Sequence, residues 1–214
     1  LAWKATLWIM ASYLIGSIPF GLLVSKVLYK RDLRSLGSGN IGATNVLRNF
    51  GVRPFVAVTM LDLGKGVAAV AVGKAFGLNP SLSLASGLAA IFGHNWSVYL
   101  KFTGGKGIAT SGGVILAAYP WQVSLAVIGA FLLTVLISRI MSMGSIAAAF
   151  AFPATTIIFL AKNYSDKWYY WTYTIVAALA SIFALYKHRD NLKRIINGDE
   201  PRIGKHRREE RRGE

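Results

Sequence analysis

The chain contains no cysteine, which excludes disulfides and every metal site built on thiolates. Acidic residues are scarce. Only 9 Asp and Glu stand against 24 Lys and Arg, for a formal charge of +15. No soluble basic face with aromatics beside it is present, so nucleic acid is excluded as a partner. The triphosphatase loop G-x-x-x-x-G-K-[S/T] is missing as well: Leu100 stands where its first glycine belongs, and Gly107 follows Lys106. There is no His-x-x-x-x-Asp dyad, because Tyr99, Lys193 and Arg211 hold the fifth position after His94, His188 and His206. No Ser-His-Asp triad, internal repeat or inverted pair of broken helices is evident.

What the chain has in quantity is apolar sequence. Hydrophobic residues make up 54% of 214 positions, too many for an ordinary soluble domain and typical of a polytopic membrane protein. The first apolar run, Ala5 to Leu28, is too long for a signal-peptide core, and no small-residue cleavage site closes it. Six more follow: Pro54–Phe76, Leu82–Leu100, Lys106–Tyr119, Trp121–Ile140, Gly144–Ala161 and Trp168–Tyr186. The fourth is short, and Pro153 interrupts the sixth, which a membrane helix tolerates when neighbours satisfy the freed carbonyl. The expected fold is therefore an all-α polytopic membrane protein with about seven spans.

Basic residues set the expected orientation. Lys30, Arg31, Arg34, Arg48 and Arg53 follow the first run, Lys101 and Lys106 follow the third, Arg139 ends the fifth, and the tail is crowded with Lys and Arg. Seven spans with the N-terminus outside put all of these, and the C-terminus, in the cytoplasm. The opposite loops are Gly77–Ser81, Tyr119–Pro120 and Lys162–Lys167, and only the last is charged. Residues 1–200 are expected to form one transmembrane catalytic domain. Leu192, Ile195 and Ile196 mark an interfacial helix, and residues 201–214 read as a basic, disordered tail.

Three polar clusters then fall on the cytoplasmic face. The first is "SLGSGNIGATNVLR", Ser35 to Arg48. Its close-spaced glycines suit an anion nest of backbone N–H groups, with Ser35 and Ser38 as hydroxyl donors and Arg48 as a bidentate charge. A flexible loop is the plainer alternative. The second is "FTGGKGIAT", Phe102 to Thr110, where Gly104, Gly105 and Gly107 surround Lys106 just before a helix start that favours anions. His94, in the preceding "GHNW", falls about two turns before the end of the third span, as a structural or a catalytic residue. The third is His188, Arg189, Asn191 and Arg194, with Gly198 and Glu200 beyond, which alone reads as a solvated basic helix end. Asp62 and Lys65 share a helix face inside the second span, for mutual neutralisation or to line a polar cavity.

Together these motifs resemble the bacterial glycerol-3-phosphate acyltransferases that use acyl phosphate, the PlsY family. "SLGSGNIGATN" with Arg48, "GHNW…FTGGKGIAT", and Asn191-x-x-Arg194 with Gly198 and Glu200 carry the likeness, which covers nearly the whole chain apart from the basic extension after Pro201. It implies transfer of a fatty acyl group from acyl phosphate to the 1-hydroxyl of glycerol 3-phosphate, giving lysophosphatidic acid at the inner membrane of a bacterial cell. It implies no cofactor and no metal. Ser35, Lys106, His188 and Asn191 are the expected catalytic residues. Gly37, Ser38, Gly39, Asn40, Thr44, Asn45, Arg48, His94, Gly104, Gly105, Gly107, Thr110, Arg194 and Glu200 are expected to bind substrate or phosphate. The proton acceptor stays open between His188, His94 and the donor's own phosphate. An anion or phosphate-ester transporter is the competing class, but it would need polar residues through to the outer side, and the last three runs hold almost none beyond Ser and Thr. A purely structural anchor leaves the polar clusters unexplained.

Overall fold

The computed structural model describes residues 2–163 and 167–204. Every named element among them is helical, and the only bridge is an isolated antiparallel pair, Ser97 with Thr103. The α-helices are α1 (Ala2–Ser17), α2 (Phe20–Tyr29), α3 (Ala43–Phe50), α4 (Val52–Ala75), α5 (Pro80–Asn95), α6 (Ile108–Ala118), α7 (Trp121–Ser138), α8 (Met141–Asn163), α9 (Lys167–Lys187) and α10 (Arg189–Ile196).

Helices stand at all seven expected spans, with corrections. The first span is not one helix: α1 and α2 are bent by 40° at Ile18–Pro19. Proline supplies no N–H and biases the residue before it away from helix, so the run breaks where Pro19 stands. The third span ends at Asn95, not Leu100, which puts His94 in the last turn of α5. The loop after α2 contains a helix, α3, that its glycine content concealed. Helices α4, α7, α8 and α9 are long and apolar enough to cross a membrane, and the bent α1–α2 pair makes a fifth candidate. Helix α5, with 16 residues, and α6, with 11, fall short of the roughly 20 that a bilayer core asks for. Helix α8 runs unbroken through Pro153.

The chain divides into two compact units, residues 1–120 and 121–214. In the first, α1 packs on α5, α4 on α5 and α6, and α5 on α6. Small residues set these approaches. A β-carbon at Gly16 would strike the Ala90 carbonyl, one at Gly66 the Thr110 carbonyl, and one at Gly113 the Leu63 carbonyl. Helix α5 starts cleanly because Asn79 accepts from Leu82 N–H at 2.8 Å and Pro80 fills the first helical position. In the second unit α8 packs against both α7 and α9, and α10 rests on α8 and α9. Leu192 and Ile196 of α10 are exposed, as an interfacial helix requires. Of the tail, only residues 201–204 are described, and Ile203 N–H donates to the Arg139 carbonyl at 2.8 Å. The expected disorder further along, and residues 164–166 of the loop expected on the outer side, lie outside the described residues.

Candidate active site

The loop that joins α2 to α3 is organised by one side chain. Asn45, in the first turn of α3, is 2% exposed. Its amide nitrogen donates to the carbonyls of Leu33, Leu36 and Asn40 at 3.2, 2.9 and 2.8 Å. Its oxygen accepts from Ser38 N–H at 3.2 Å and from Asn49 at 3.1 Å. Gly37 and Gly39 have φ of +53° and +69°, a region where a β-carbon is strained, and a side chain at Gly37 would also meet the Asn45 oxygen. The loop therefore has a definite shape, but it is not the open backbone nest that its composition suggests. The N–H groups of Ser38, Gly39 and Gly42 are committed to Asn45, the Leu36 carbonyl and Asn40. What the stretch offers outward is side chains. Ser35 and Ser38 are exposed, Thr44 and Arg48 are half-buried, and the Ser35 hydroxyl donates to the Asp32 carbonyl at 2.8 Å.

Asp32 anchors the start of this loop. Its carboxylate accepts from Arg34 Nη2 at 2.6 Å and from Arg34 Nε and N–H at 3.0 Å each, with Lys26 at 3.4 Å. The hydrogen bonds from Arg34 hold its carboxyl well below the usual range.

The second glycine loop is built against α5. Gly105 N–H donates to the His94 carbonyl at 3.0 Å. A β-carbon at Gly104 would strike that same carbonyl, one at Gly105 the His94 ring nitrogen Nε2, and one at Gly107 the Asn95 side chain. Only glycine lets this backbone lie so close to α5. Further back, Ser97 Oγ donates to the Ser17 carbonyl at 2.6 Å, and Tyr13 Oη to the Trp96 carbonyl at 2.8 Å. Lys106 is half-buried and lies two residues before α6. The residue that caps α6 is Gly107, at φ +74°, which has no side chain to bond the first-turn N–H groups. Thr110 is fully buried in that first turn and is not exposed beside the loop.

His94 is 6% exposed, with Nδ1 2.8 Å from Lys65 Nζ and 3.5 Å from Asp62 Oδ1. Its ring lies behind the glycine loop. The two loops share one apolar footing. Leu22, Leu33, Ile41, Val46 and Val58 form a buried cluster, and Leu100 packs on it from the second loop.

In the second unit the third cluster converges on Glu200. Its carboxylate, 5% exposed, accepts from Asn191 Nδ2 at 2.7 Å, Ser142 Oγ at 2.8 Å and Arg194 Nε at 2.7 Å. Burial pushes the Glu200 carboxyl up, but the bonds from Asn191, Ser142 and Arg194 outweigh it and hold the group below its ordinary value. An acid so committed orients its donors. Gly198, at φ +79°, turns the chain so that Glu200 reaches back. His188 is buried, and its Nδ1 lies 2.7 Å from the Ala184 carbonyl. A carbonyl only accepts, so the neutral ring carries its proton on Nδ1 and its basic lone pair on Nε2. Ser142 had no signal in the sequence, since a lone serine in an apolar run looks like any other.

An all-helical membrane protein with two glycine loops on one unit and a carboxylate-centred basic cluster on the other narrows the class to one that handles charged substrates at a lipid surface. Residues 6–198 match the family model described as glycerol-3-phosphate acyltransferase. A glycerol-3-phosphate acyltransferase of Prochlorococcus marinus is 45% identical over 92% of this chain and 93% of its own. One of Synechococcus sp. (strain CC9902) is 43% identical over 94% and 96%. The crystal structure of PlsY in its glycerol 3-phosphate form, described as an integral membrane glycerol 3-phosphate acyltransferase, superimposes with a TM-score of 0.82 at 35% identity. It covers 94% of this chain and 96% of that one. Its lysophosphatidic acid form gives 0.79 at 33%. The chain belongs to the glycerol-3-phosphate acyltransferase family of integral membrane proteins, the PlsY family.

Proposed function

We propose that the chain transfers a fatty acyl group from acyl phosphate to the 1-hydroxyl of glycerol 3-phosphate. The carrying observation is the 104–107 loop, whose glycines let the backbone close onto α5 with Lys106 beside an uncapped helix start. The hydroxyl oxygen attacks the acyl carbonyl carbon. The bond from that carbon to the phosphate oxygen breaks, and its electron pair leaves with phosphate, giving lysophosphatidic acid. Phosphate is a good leaving group, so the protein has mainly to position the hydroxyl and to neutralise charge on the carbonyl oxygen and the departing phosphate.

In this reading Lys106, Arg48, Ser35 and Ser38 hold phosphate and the developing oxyanion, with Gly104, Gly105 and Gly107 shaping the cradle. Gly37, Gly39, Asn40, Thr44 and Asn45 shape the first loop, and Thr110 and His94 support the second. Asn191 and Arg194, aimed by Glu200, bind substrate polar groups. The hydroxyl proton passes to the departing phosphate, with His188 Nε2 as the side-chain alternative that its tautomer favours. Seven spans, counting α1–α2 as one and including the short α5 and α6, place the N-terminus outside and the basic loops in the cytoplasm of a bacterial inner membrane, where soluble glycerol 3-phosphate arrives.

Purified protein in detergent is expected to form lysophosphatidic acid from glycerol 3-phosphate and acyl phosphate, and not from the same acyl group as a thioester. Turnover with the thioester alone overturns the donor assignment. Phosphate-ester flux into liposomes without acyl transfer would favour a transporter. His188→Gln separates the proton acceptors: the departing phosphate predicts an unchanged pH profile, and an imidazole base predicts loss of its limb near neutral pH.

A further inference from the structure

Asp62, Lys65 and His94 form a buried cluster, with exposures of 2%, 4% and 6%, of which only His94 has been given a part above, as a support of the second loop. Neutralising one buried charge needs only the Asp62–Lys65 pair, 2.8 Å apart. The Lys65 ammonium does more. Its hydrogen bonds go to His94 Nδ1 at 2.8 Å and to the Ile18 carbonyl at 3.1 Å, at the break between α1 and α2. The ammonium thus lies against groups from three different elements: the Asp62 carboxylate as an ion pair, and the His94 ring and the Ile18 carbonyl as hydrogen-bond acceptors. Stability alone does not require this arrangement, because well-packed apolar residues in place of a buried ion pair are often neutral or stabilising.

The consequence falls on the glycine loop. The ammonium donates to His94 Nδ1, so the neutral ring carries its proton on Nε2, the atom against which Gly105 packs. The His94 carbonyl holds Gly105 N–H at the same point. Lys106 follows directly.

We propose that Asp62, Lys65 and His94 are positioning residues that hold the 104–107 loop, and so set how tightly the phosphate-bearing substrates are bound. This rests on reading that loop as a phosphate cradle. Removing Lys65 alone strands a buried carboxylate and risks misfolding, so the test uses the double variant Asp62→Leu/Lys65→Leu, with His94→Gln beside it. Both are expected to insert and melt near the wild-type temperature, with KM for glycerol 3-phosphate or for acyl phosphate raised about tenfold or more. Wild-type KM values in either folded variant overturn the proposal, and so does a fall in kcat with both KM values unchanged. If the double variant does not fold, His94→Gln decides by the same criterion. Lys106→Ala is measured in parallel. Should it keep wild-type activity, the cradle reading itself has failed. Should it lose activity while the other two variants do not, only the positioning role has failed.

Discussion

Lys106 and Glu200 show how a single charge works in opposite directions. Lys106 stands half-buried among glycines before a helix start with no side-chain cap, which is where the proposed reading puts the phosphate. Lys106→Ala is expected to lower kcat/KM ten- to a hundredfold, since one charge-assisted bond to phosphate contributes about 1.5–3 kcal/mol, while the protein still inserts and melts normally. Lys162→Ala, exposed at the end of α8, is the silent control in the same assay. Lys74 would be a poor one, because its ammonium bonds the Ala117 carbonyl at 2.7 Å. Glu200 looks inward. Its carboxyl is held below the ordinary value of 4.5, so folding favours its ionised form. That stability is present above pH 4.5 and is lost as pH falls through the lower folded value. Glu200→Gln places an amide N–H against a committed donor. It is expected to cost about 1–3 kcal/mol at pH 7, with a gap in melting temperature that narrows as wild-type protein is acidified. A gap that is constant with pH would show that the carboxylate charge does not matter.

At the scale of elements, the short helices matter more than the long ones. Helix α6 carries adjacent glycines with different tasks. Gly113 lies against the Leu63 carbonyl of α4, whereas nothing stands within 4 Å of a β-carbon at Gly112. Gly113→Ala should therefore push α6 off α4 and lower the melting temperature by several degrees, together with activity, because α6 begins at the Lys106 loop. Gly112→Ala should be tolerated or slightly stabilising, by up to about 1 kcal/mol from helix propensity. Equal effects from the two would remove the close-packing argument. The break between α1 and α2 is similar in kind. Pro19 interrupts the helix, and Lys65 uses the Ile18 carbonyl at the break.

At the scale of the whole chain, the proposed orientation rests on the asymmetry of the basic loops. Single cysteines at Arg31 and Arg202, exposed positions on the proposed cytoplasmic side, should resist an impermeant thiol reagent added to intact cells. Cysteines at Ala75 and Lys162, exposed positions on the proposed outer side, should react. The native chain has no cysteine, so labelling has no background. Asn79 is avoided because its side chain caps α5. Reaction of Arg31→Cys from outside would overturn the orientation and cut the glycine loops off from cytosolic substrate.

Apolar run length, basic-loop asymmetry and the glycine motifs were legible in the sequence because each is a local property. A helix needs only its own residues to be apolar, and a glycine loop announces itself by composition. Local signals also put forward Lys106, Arg48, Asn191 and Arg194 as candidates. The break at Pro19 had a local cause that an unbroken apolar run masked, and α3 was hidden by the glycines before it. The rest required the tertiary structure. Glu200 gathers Ser142 from 58 residues away, and Lys65 joins His94 and Ile18 from 29 and 47 residues away. No spacing rule reaches that far. Asn45 read as a residue that binds substrate or phosphate, yet its side chain closes the loop, because burial decides whether an amide bonds substrate or backbone. Sequence determined that this chain is helical, lies in a membrane and carries two glycine-rich loops. Packing decided which polar groups face outward and which are consumed in holding the others, since every buried donor must find an acceptor wherever the fold brings one.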